Sequence, residues 1–326
     1  TILAGQVNCG DLKCTAEQIT ATFADFNGDG ILDLYSGSWL WNDGESDLRY
    51  SPPGADRLFF GDGAGLFSEQ TEGLGDQRHR LSSTPEGLGR PAMGIAAGDY
   101  DNDGDMDVYV ANYGAGRPVG PFADRVICEP PGYFEQNLLW RNDGDGSFTD
   151  VSEDAGVAAT MRGPLDIVDE PVLVMGEECD ASVRGTYQSP IGGNSFTPEM
   201  ADFDNDGDLD IVVGSIAHPD YVQSDPTLLF VNQGPPDYTF SEESLERGLV
   251  YREDEKHPGW FDVDNDGYLD LVATGFRNDA ENHLRVYLGD ADGKLTLQEI
   301  TTTGIADNHQ ESAVWLDYDG DGDLDL

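Results

Sequence analysis

Short runs of apolar and β-branched residues alternate with glycine- and aspartate-rich segments along the 326-residue chain. Four of these runs share one form: LDLYSGS, MDVYVAN, LDIVVGS and LDLVATG. Runs of this length and composition, bounded by glycine, asparagine or aspartate, are typical of β-strands. The pattern therefore predicts an all-β fold with many short strands.

Further along each repeat, two more strand-like runs flank a turn. They are RLFFGDGAGLFSEQ, NLLWRNDGDGSFTDV, TLLFVNQGPPDYTFSEE and LRVYLGDADGKLTLQEI. Such pairs of runs indicate β-hairpins. Together with one strand before and one strand after each aspartate-rich segment, they give four strands per repeat, which is the strand count of a β-propeller blade.

The aspartate-rich segments share the template D-x-[DN]-x-D-G-x-x-D. Five copies occur: Asp25 to Asp33, Asp99 to Asp107, Asp202 to Asp210, Asp262 to Asp270 and Asp317 to Asp325. Their starts are 74, 103, 60 and 55 residues apart, so the basic repeat has 55 to 60 residues and the second is expanded. This predicts a propeller over residues 19–326, with an acidic loop between the first two strands of each blade and insertions at about 113–136 and 158–194.

The fifth repeat stops one residue after its last aspartate, so only the start of a fifth blade is present. Two interpretations stay open. Either the sequence belongs to a longer propeller, or strands from the N-terminal segment, residues 1–18, or from another subunit complete the blade.

Alternating aspartates on a tight loop direct oxygens at one centre, and Ca²⁺ prefers six to eight oxygen ligands. Positions 1, 3, 5 and 9 offer side chains, position 7 offers a carbonyl, and position 6 is always glycine. The predicted ligands of about five Ca²⁺ ions are Asp25, Asn27, Asp29, Ile31 and Asp33; Asp99, Asp101, Asp103, Asp105 and Asp107; Asp202, Asp204, Asp206, Asp208 and Asp210; Asp262, Asp264, Asp266, Tyr268 and Asp270; and Asp317, Asp319, Asp321, Asp323 and Asp325.

The loops differ from EF-hands, because no glutamate stands at position 12 and a strand-like run follows instead of a helix. Aspartate-glycine turns also occur without ions, and the NDGDG turn at 142–146 is assigned to that class. Repetition of one nearly complete ligand set in every repeat favours structural over catalytic calcium.

DYDNDGDMDVYVANYG and NLLWRNDGDGSFTDVSEDAGV resemble FG-GAP or VCBS repeats, the blades of integrin α-subunit propellers, and in style the cartilage acidic protein and ASPIC/UnbV-type proteins. The resemblance covers most of the chain outside residues 1–18 and the insertions, and it implies a calcium-stabilised extracellular propeller. The Gly-Ala-Pro element of integrin repeats is replaced here by Gly-Ser, Ala-Asn or Ala-Thr. Integrin ligand recognition is therefore not carried over.

Charge and cysteines indicate the compartment and the partners. A formal net charge of −47 disfavours nucleic acid and anionic membranes as partners. Four cysteines without Cys-x-x-Cys spacing favour two disulfides, predicted as Cys9–Cys14 and Cys128–Cys179, and hence an oxidising compartment. The chain begins at Thr1 and contains no long apolar run, so we expect a processed, secreted or cell-surface protein without a membrane-inserted segment.

Three function classes follow. The favoured one is a non-enzymatic adhesion or recognition module that contacts a cell-surface protein or glycan. Trp39, Trp41, Tyr113, Phe122 and Tyr133 are candidate contact residues, although propeller aromatics also pack between blades. The second class is a self-assembling subunit of a surface layer or filament. The third is a calcium-dependent polysaccharide-acting enzyme, for which no histidine or acidic pair stands out.

Overall fold

A computed structural model gives the structure of the chain. It describes residues 6–9, 12–42, 55–75, 77, 90–113, 136–158, 161–162, 173–174, 177–178, 190–191, 195–215, 226–250, 255–275, 284–298 and 318–320. Within these residues the fold is all-β, as predicted: helical structure is limited to a 3-10 turn at Thr71–Leu74 and one helical turn, α1, at Ser244–Arg247.

The chain divides into two compact units. The first contains Thr1–Asp99, Asp103–Asn194 and Asp220–Val222. The second contains Tyr100–Asn102, Ser195–Pro219 and Gln223–Leu326.

The first sheet has five antiparallel strands in sequential order. They are β1 (Gln6–Cys9), β2 (Leu12–Ala24), β3 (Asp33–Asn42), β4 (Arg57–Gly61) and β5 (Phe67–Glu69). The last four strands come from the first repeat. β1 adds an outer strand by pairing with the start of β2.

The second sheet has the same antiparallel order with four strands. They are β6 (Ala92–Gly98), β7 (Asp107–Asn112), β8 (Leu138–Asn142) and β9 (Phe148–Asp150).

Two small antiparallel pairs lie within the second predicted insertion. They are β10 (Met161–Arg162) with β13 (Pro190–Ile191), and β11 (Leu173–Val174) with β12 (Glu177–Glu178). The first predicted insertion falls largely outside the described residues.

The third sheet contains β14 (Ser195–Ala201), β15 (Asp210–Ser215), β16 (Leu228–Asn232) and β17 (Phe240–Glu242). All its neighbouring strands are antiparallel.

The fourth sheet contains β18 (His257–Phe261), β19 (Asp270–Thr274), β20 (Leu284–Gly289) and β21 (Leu295–Leu297). It has the same antiparallel order. The predicted four strands per repeat are therefore confirmed for four repeats.

The strand register places every described aspartate loop between the first two strands of its repeat. The last aspartate of each loop begins the second strand and pairs with the last residue of the first strand. These pairs are Ala24 with Asp33, Gly98 with Asp107, Ala201 with Asp210 and Phe261 with Asp270. The loop is therefore held at both ends by strand pairing.

Each compact unit buries apolar faces of its own sheets against each other. In the first unit, Tyr35 and Leu58 of one sheet share a core with Val108 and Trp140 of the next. In the second unit, a similar core joins residues of the third and fourth sheets, and the Phe203 and Trp260 rings stack with centroids 5.2 Å apart. Burial of such side chains contributes roughly 1.5 to 3 kcal/mol each, so these shared faces stabilise the sheets that carry the loops.

Candidate metal centre

Four aspartate loops are described, and they repeat one local geometry. We name them loop 1 (25–33), loop 2 (99–107), loop 3 (202–210) and loop 4 (262–270). In each, the carboxylate at position 1 accepts one or two backbone N–H groups from inside the loop. Asp25, for example, accepts the amides of Asp29 at 3.1 Å and Gly30 at 2.7 Å. These bonds fold the loop around its first carboxylate.

The carboxylate at position 5 holds the second half of each loop. Its Oδ1 accepts the N–H of position 7 at 2.8 to 3.0 Å. The pairs are Ile31 to Asp29, Asp105 to Asp103, Asp208 to Asp206 and Tyr268 to Asp266. The carbonyl ligands predicted at position 7 stay a prediction.

Two positions in each loop have left-handed backbone. At position 6, Gly30, Gly104, Gly207 and Gly267 have φ of 83°, 98°, 97° and 92°, which explains why this position is glycine in every loop. Position 4 also has positive φ, at Gly28, Asn102, Asn205 and Asn265. The sequence interpretation missed this second site, although the restriction of position 4 to glycine and asparagine is its signal.

The aspartate at position 9 is buried, and its carboxylate connects the loop to the third strand of the same repeat. Asp33 Oδ2 accepts the N–H of Phe26 at 2.9 Å, and its Oδ1 accepts the N–H of Gly61 at 2.8 Å. Asp270 accepts Val263 and Gly289 in the same way, at 2.7 and 2.8 Å. The position 9 aspartate therefore also holds the loop against the third strand, a role that the ligand prediction did not include.

Carboxylate oxygens converge in three of the loops. The groups with oxygens within 4.8 Å of one another are Asp99, Asp101 and Asp107; Asp202, Asp204 and Asp206; and Asp262, Asp264 and Asp270. In loop 1 the third position is Asn27, which offers an amide oxygen instead of a carboxylate. The structure thus brings together three of the four predicted side-chain ligands in each of loops 2, 3 and 4.

Loop 3 contains buried carboxylate oxygens without a protein donor. Asp202 Oδ1 and Asp204 Oδ1 are buried, and neither has a hydrogen-bond partner within the described part of the chain. An uncompensated buried carboxylate oxygen is costly, and a divalent cation between the two would compensate both. Their oxygen-only chemistry fits Ca²⁺, which takes carboxylate and carbonyl oxygens.

Burial and mutual repulsion raise carboxyl pKa values in these loops. Burial raises the pKa of Asp210 to about 8, and the nearby Asp204 and Asp206 carboxylates add to the rise. Burial also raises the pKa values of Asp33, Asp204, Asp208 and Asp270. A bound cation would oppose these shifts, because it favours the ionised form.

The turn at 142–146 differs from the loops because its carboxylates bind protein donors. Asp143 Oδ1 pairs with Arg141 at 2.8 Å, and its Oδ2 accepts the Thr149 hydroxyl at 2.7 Å. Asp145 Oδ1 accepts the Ser147 hydroxyl at 2.6 Å and the Ser147 N–H at 3.1 Å. Internal pairing of this kind supports the assignment of the segment to a turn that needs no ion.

Several predicted residues lie outside the described part of the chain. In the fifth loop only 318–320 are described, so Asp319 is included while Asp317, Asp321, Asp323 and Asp325 are not. The same holds for Cys128, Cys179, Phe122 and Tyr133, and for the side chains of Cys9, Cys14, Trp39 and Trp41. Both disulfides stay predictions.

Residues 40–110 and 262–326 match the family described as FG-GAP-like repeat. These two segments carry FG-GAP-like repeats. The two matched segments include loops 2 and 4, and the predicted FG-GAP-type repeat is therefore confirmed there.

Solved structures similar to this chain include rhamnogalacturonan lyase YesW, with 12% identity, a TM-score of 0.43, and coverage of 89% of this chain and 52% of that one. Rhamnogalacturonan lyase PL11 of Bacillus licheniformis has 10% identity, a TM-score of 0.42, and coverage of 94% and 53%. The exotype lyase YesX has 9% identity, a TM-score of 0.41, and coverage of 89% and 50%. The chain spans about half the length of these proteins.

A comparison with curated proteins found no match. Among the described residues, none of the helices has the length and apolar character needed to span a membrane.

Proposed function

We propose that this FG-GAP-type repeat protein is an extracellular β-propeller that binds structural calcium, one ion per aspartate loop, and acts as a non-enzymatic adhesion or recognition module. The observation that carries the calcium site is the pair of buried oxygens without a hydrogen-bond partner in the described loop 3, Asp202 Oδ1 and Asp204 Oδ1. The same loop geometry in four repeats extends the proposal to the other loops.

A structural role for the ions is supported by how the loops are attached. Each loop joins two paired strands, and its buried position 9 carboxylate reaches the end of a third strand of the same sheet. An ion in the loop would therefore fix three strands of one sheet. The propeller arrangement is supported by four-stranded repeats whose faces pack against the next sheet within each compact unit.

Recognition of a protein or glycan fits a strongly acidic, calcium-loaded surface, since calcium-stiffened strands would hold the connecting loops in place as contact sites. Self-assembly is the second candidate, and three exposed apolar side chains of the first repeat favour it. Ile19 and Phe23 of β2 are 48% and 57% exposed, and Leu66 is 70% exposed. Light scattering coupled to size-exclusion chromatography in calcium tests this candidate; a strict monomer at high concentration would exclude it.

Native mass spectrometry after dialysis against Ca²⁺ or EDTA tests the calcium proposal. We expect about five calcium ions per chain, and one fewer in Asp202→Asn, because that substitution removes a carboxylate of loop 3. Asp145→Asn, in the turn whose carboxylates bind protein donors, should keep the full count. A calcium-free protein, or an unchanged melting curve after EDTA, would contradict the proposal.

The recognition role needs a separate test. Binding to arrays of glycans and of cell-surface proteins, with and without calcium, should reveal a calcium-dependent partner. Cleavage assays with polysaccharides and phosphate esters address the non-enzymatic assignment, and robust turnover would overturn it.

A further inference from the structure

Asn142, the last residue of β8, uses its whole side chain to connect two loops. It is 1% exposed. Its Nδ2 donates to the carbonyl of Phe26 in loop 1 at 2.8 Å and to the carbonyl of Met106 in loop 2 at 3.1 Å. Its Oδ1 accepts the N–H of Gly144 at 3.1 Å.

The backbone atoms of the same residues extend this connection to the predicted metal ligands. The N–H of Phe26 donates to Asp33 Oδ2 at 2.9 Å. The N–H of Asn142 donates to Asp107 Oδ1 at 2.8 Å. A continuous path therefore runs from Asp33 of loop 1 through Phe26 and Asn142 to Asp107 of loop 2, all within the first compact unit.

The same arrangement occurs independently in the second compact unit. Asn232 is 2% exposed, and its Nδ2 donates to the carbonyls of Tyr100 at 2.9 Å and Leu209 at 3.2 Å. Its N–H donates to Asp210 Oδ1 at 2.8 Å, and its Oδ1 accepts the N–H of Gly234 at 3.1 Å. The connection therefore recurs with matching partners in the second and third sheets.

The equivalent residues of the other two sheets are Gly61 and Gly289. Both keep the backbone bond to the position 9 aspartate, at 2.8 Å, but have no side chain to reach a preceding loop. A Cβ at Gly289 would lie 2.2 Å from the Leu269 carbonyl oxygen, so an asparagine does not fit there. The side-chain connection is therefore specific to the second and third sheets.

We propose that Asn142 is a positioning residue that couples calcium binding in loop 1 to calcium binding in loop 2. The proposal rests on the calcium sites proposed above. An ion in loop 1 orders Asp33 and Phe26, and through Asn142 this orders Asp107 before loop 2 is filled. The second ion then orders fewer groups on binding, which raises its affinity.

A double-mutant cycle tests the coupling. Loop 1 is disabled by Asp25→Asn with Asp29→Asn, in the wild-type background and in Asn142→Gly. Calcium binding to loop 2 is followed by hydrogen exchange of a peptide covering residues 99–112. Disabling loop 1 should weaken loop 2 about fivefold or more in the wild-type background and leave it unchanged in Asn142→Gly.

Three further measurements separate the possible outcomes. Asn232→Gly removes the equivalent side chain, which holds loop 2 through the Tyr100 carbonyl and does not contact loop 1. It should change the calcium affinity of loop 2 itself, while the further effect of disabling loop 1 stays in place. Asn142→Ser is measured in parallel as a second replacement, in case Asn142→Gly does not fold. Circular dichroism of each variant shows whether it is folded. If disabling loop 1 weakens loop 2 equally with and without the Asn142 side chain, the coupling role is wrong. A wild-type chain without any calcium would instead overturn the proposed function.

Discussion

The guanidinium of Arg247 lies 3.1 Å from Asp204 Oδ2, which places a fixed positive charge beside the carboxylates of loop 3. The same side chain pairs with Glu243 at 2.7 Å and donates to the carbonyl of Gly293 at 3.2 Å. Arg247 and Asp204 side chains are 16% and 13% exposed, so water screens this pair only weakly. Arg247 therefore compensates part of the negative charge of loop 3 and orients Asp204, whose other oxygen, Oδ1, is buried without a hydrogen-bond partner among the described residues.

Replacing Arg247 should destabilise the calcium-free protein more than the calcium-bound protein. Arg247→Met keeps much of the aliphatic length but removes the charge-assisted hydrogen bonds, which contribute about 1.5 to 3 kcal/mol when buried. In calcium, the proposed ion in loop 3 would compensate the carboxylates of that loop, so we expect a smaller loss of stability. Thermal unfolding of wild type and variant in EDTA and in calcium measures the difference.

Arg57→Met is the matched control for this prediction. Arg57 pairs with Glu69 at 2.6 Å, but the Glu69 side chain is 46% exposed and neither residue belongs to an aspartate loop. A pair exposed in this way contributes less than about 1 kcal/mol. Arg57→Met should therefore lower the stability only slightly, and by the same amount in EDTA and in calcium. If Arg247→Met also lowers the stability equally in the two conditions, Arg247 does not have the proposed role at loop 3.

Gly104→Ala should weaken calcium binding at loop 2 through the backbone alone. Gly104 has φ of 98°, and no atom lies within 4 Å of an added Cβ, so the substitution introduces strain without a steric clash. Such strain costs about 1 to 2 kcal/mol. We expect a similar loss of stability in EDTA and one calcium ion fewer at limiting calcium, as counted by native mass spectrometry.

Gly65→Ala separates the two effects. Gly65 has φ of 90° and equally open surroundings, but it lies in a hairpin turn outside the aspartate loops. It should lose comparable stability and keep the full calcium count. A reduced count in this variant too would show that strain anywhere in the fold lowers binding.

Asp56 is a buried carboxyl group that should make stability depend on pH. Burial raises its pKa to about 7, against the opposing effects of the Ser38 N–H at 2.8 Å, the Tyr35 hydroxyl at 2.9 Å and the charge of Arg90. Because the folded state favours the protonated form, its contribution is fully present below about pH 3.8 and is lost as the pH rises through about 7.

Asp56→Asn should remove this dependence. The amide keeps an oxygen for the Ser38 N–H and adds an N–H group facing Tyr35, so it imitates the protonated acid. The wild type should lose up to about 1.4 kcal/mol per pH unit relative to the variant between about pH 4 and 7. Urea unfolding of both proteins across this range, at constant calcium, measures the slope; parallel curves would show that Asp56 titrates normally.

The pairing of the four cysteines can be tested directly. In the β1–β2 hairpin, Cys9 pairs in register with Leu12 and Cys14 with Val7, so the two cysteines are diagonal neighbours on adjacent strands. Peptide mapping without reduction should recover Cys9–Cys14 and Cys128–Cys179. Any other pairing, or four free thiols, would make the prediction wrong.

Local sequence patterns predicted the strands, the loops and the family because these features depend on neighbouring residues. Alternation of apolar runs with glycine turns is a property of each repeat alone, and Gly104 is required by the backbone of its own loop. The second left-handed position, at Asn102, was missed because asparagine also occurs in ordinary backbone conformations.

The sequence by itself determined the all-β fold, the four-stranded repeats and the aspartates that face a common centre, since strand periodicity and loop spacing follow from the order of residues. Only the tertiary structure decided what surrounds those aspartates. Asn142 and Arg247 lie 116 and 43 residues from their loop partners Phe26 and Asp204, and only packing brings them together. Burial, which raises the pKa of Asp56, likewise depends on chain segments that meet only in the folded protein.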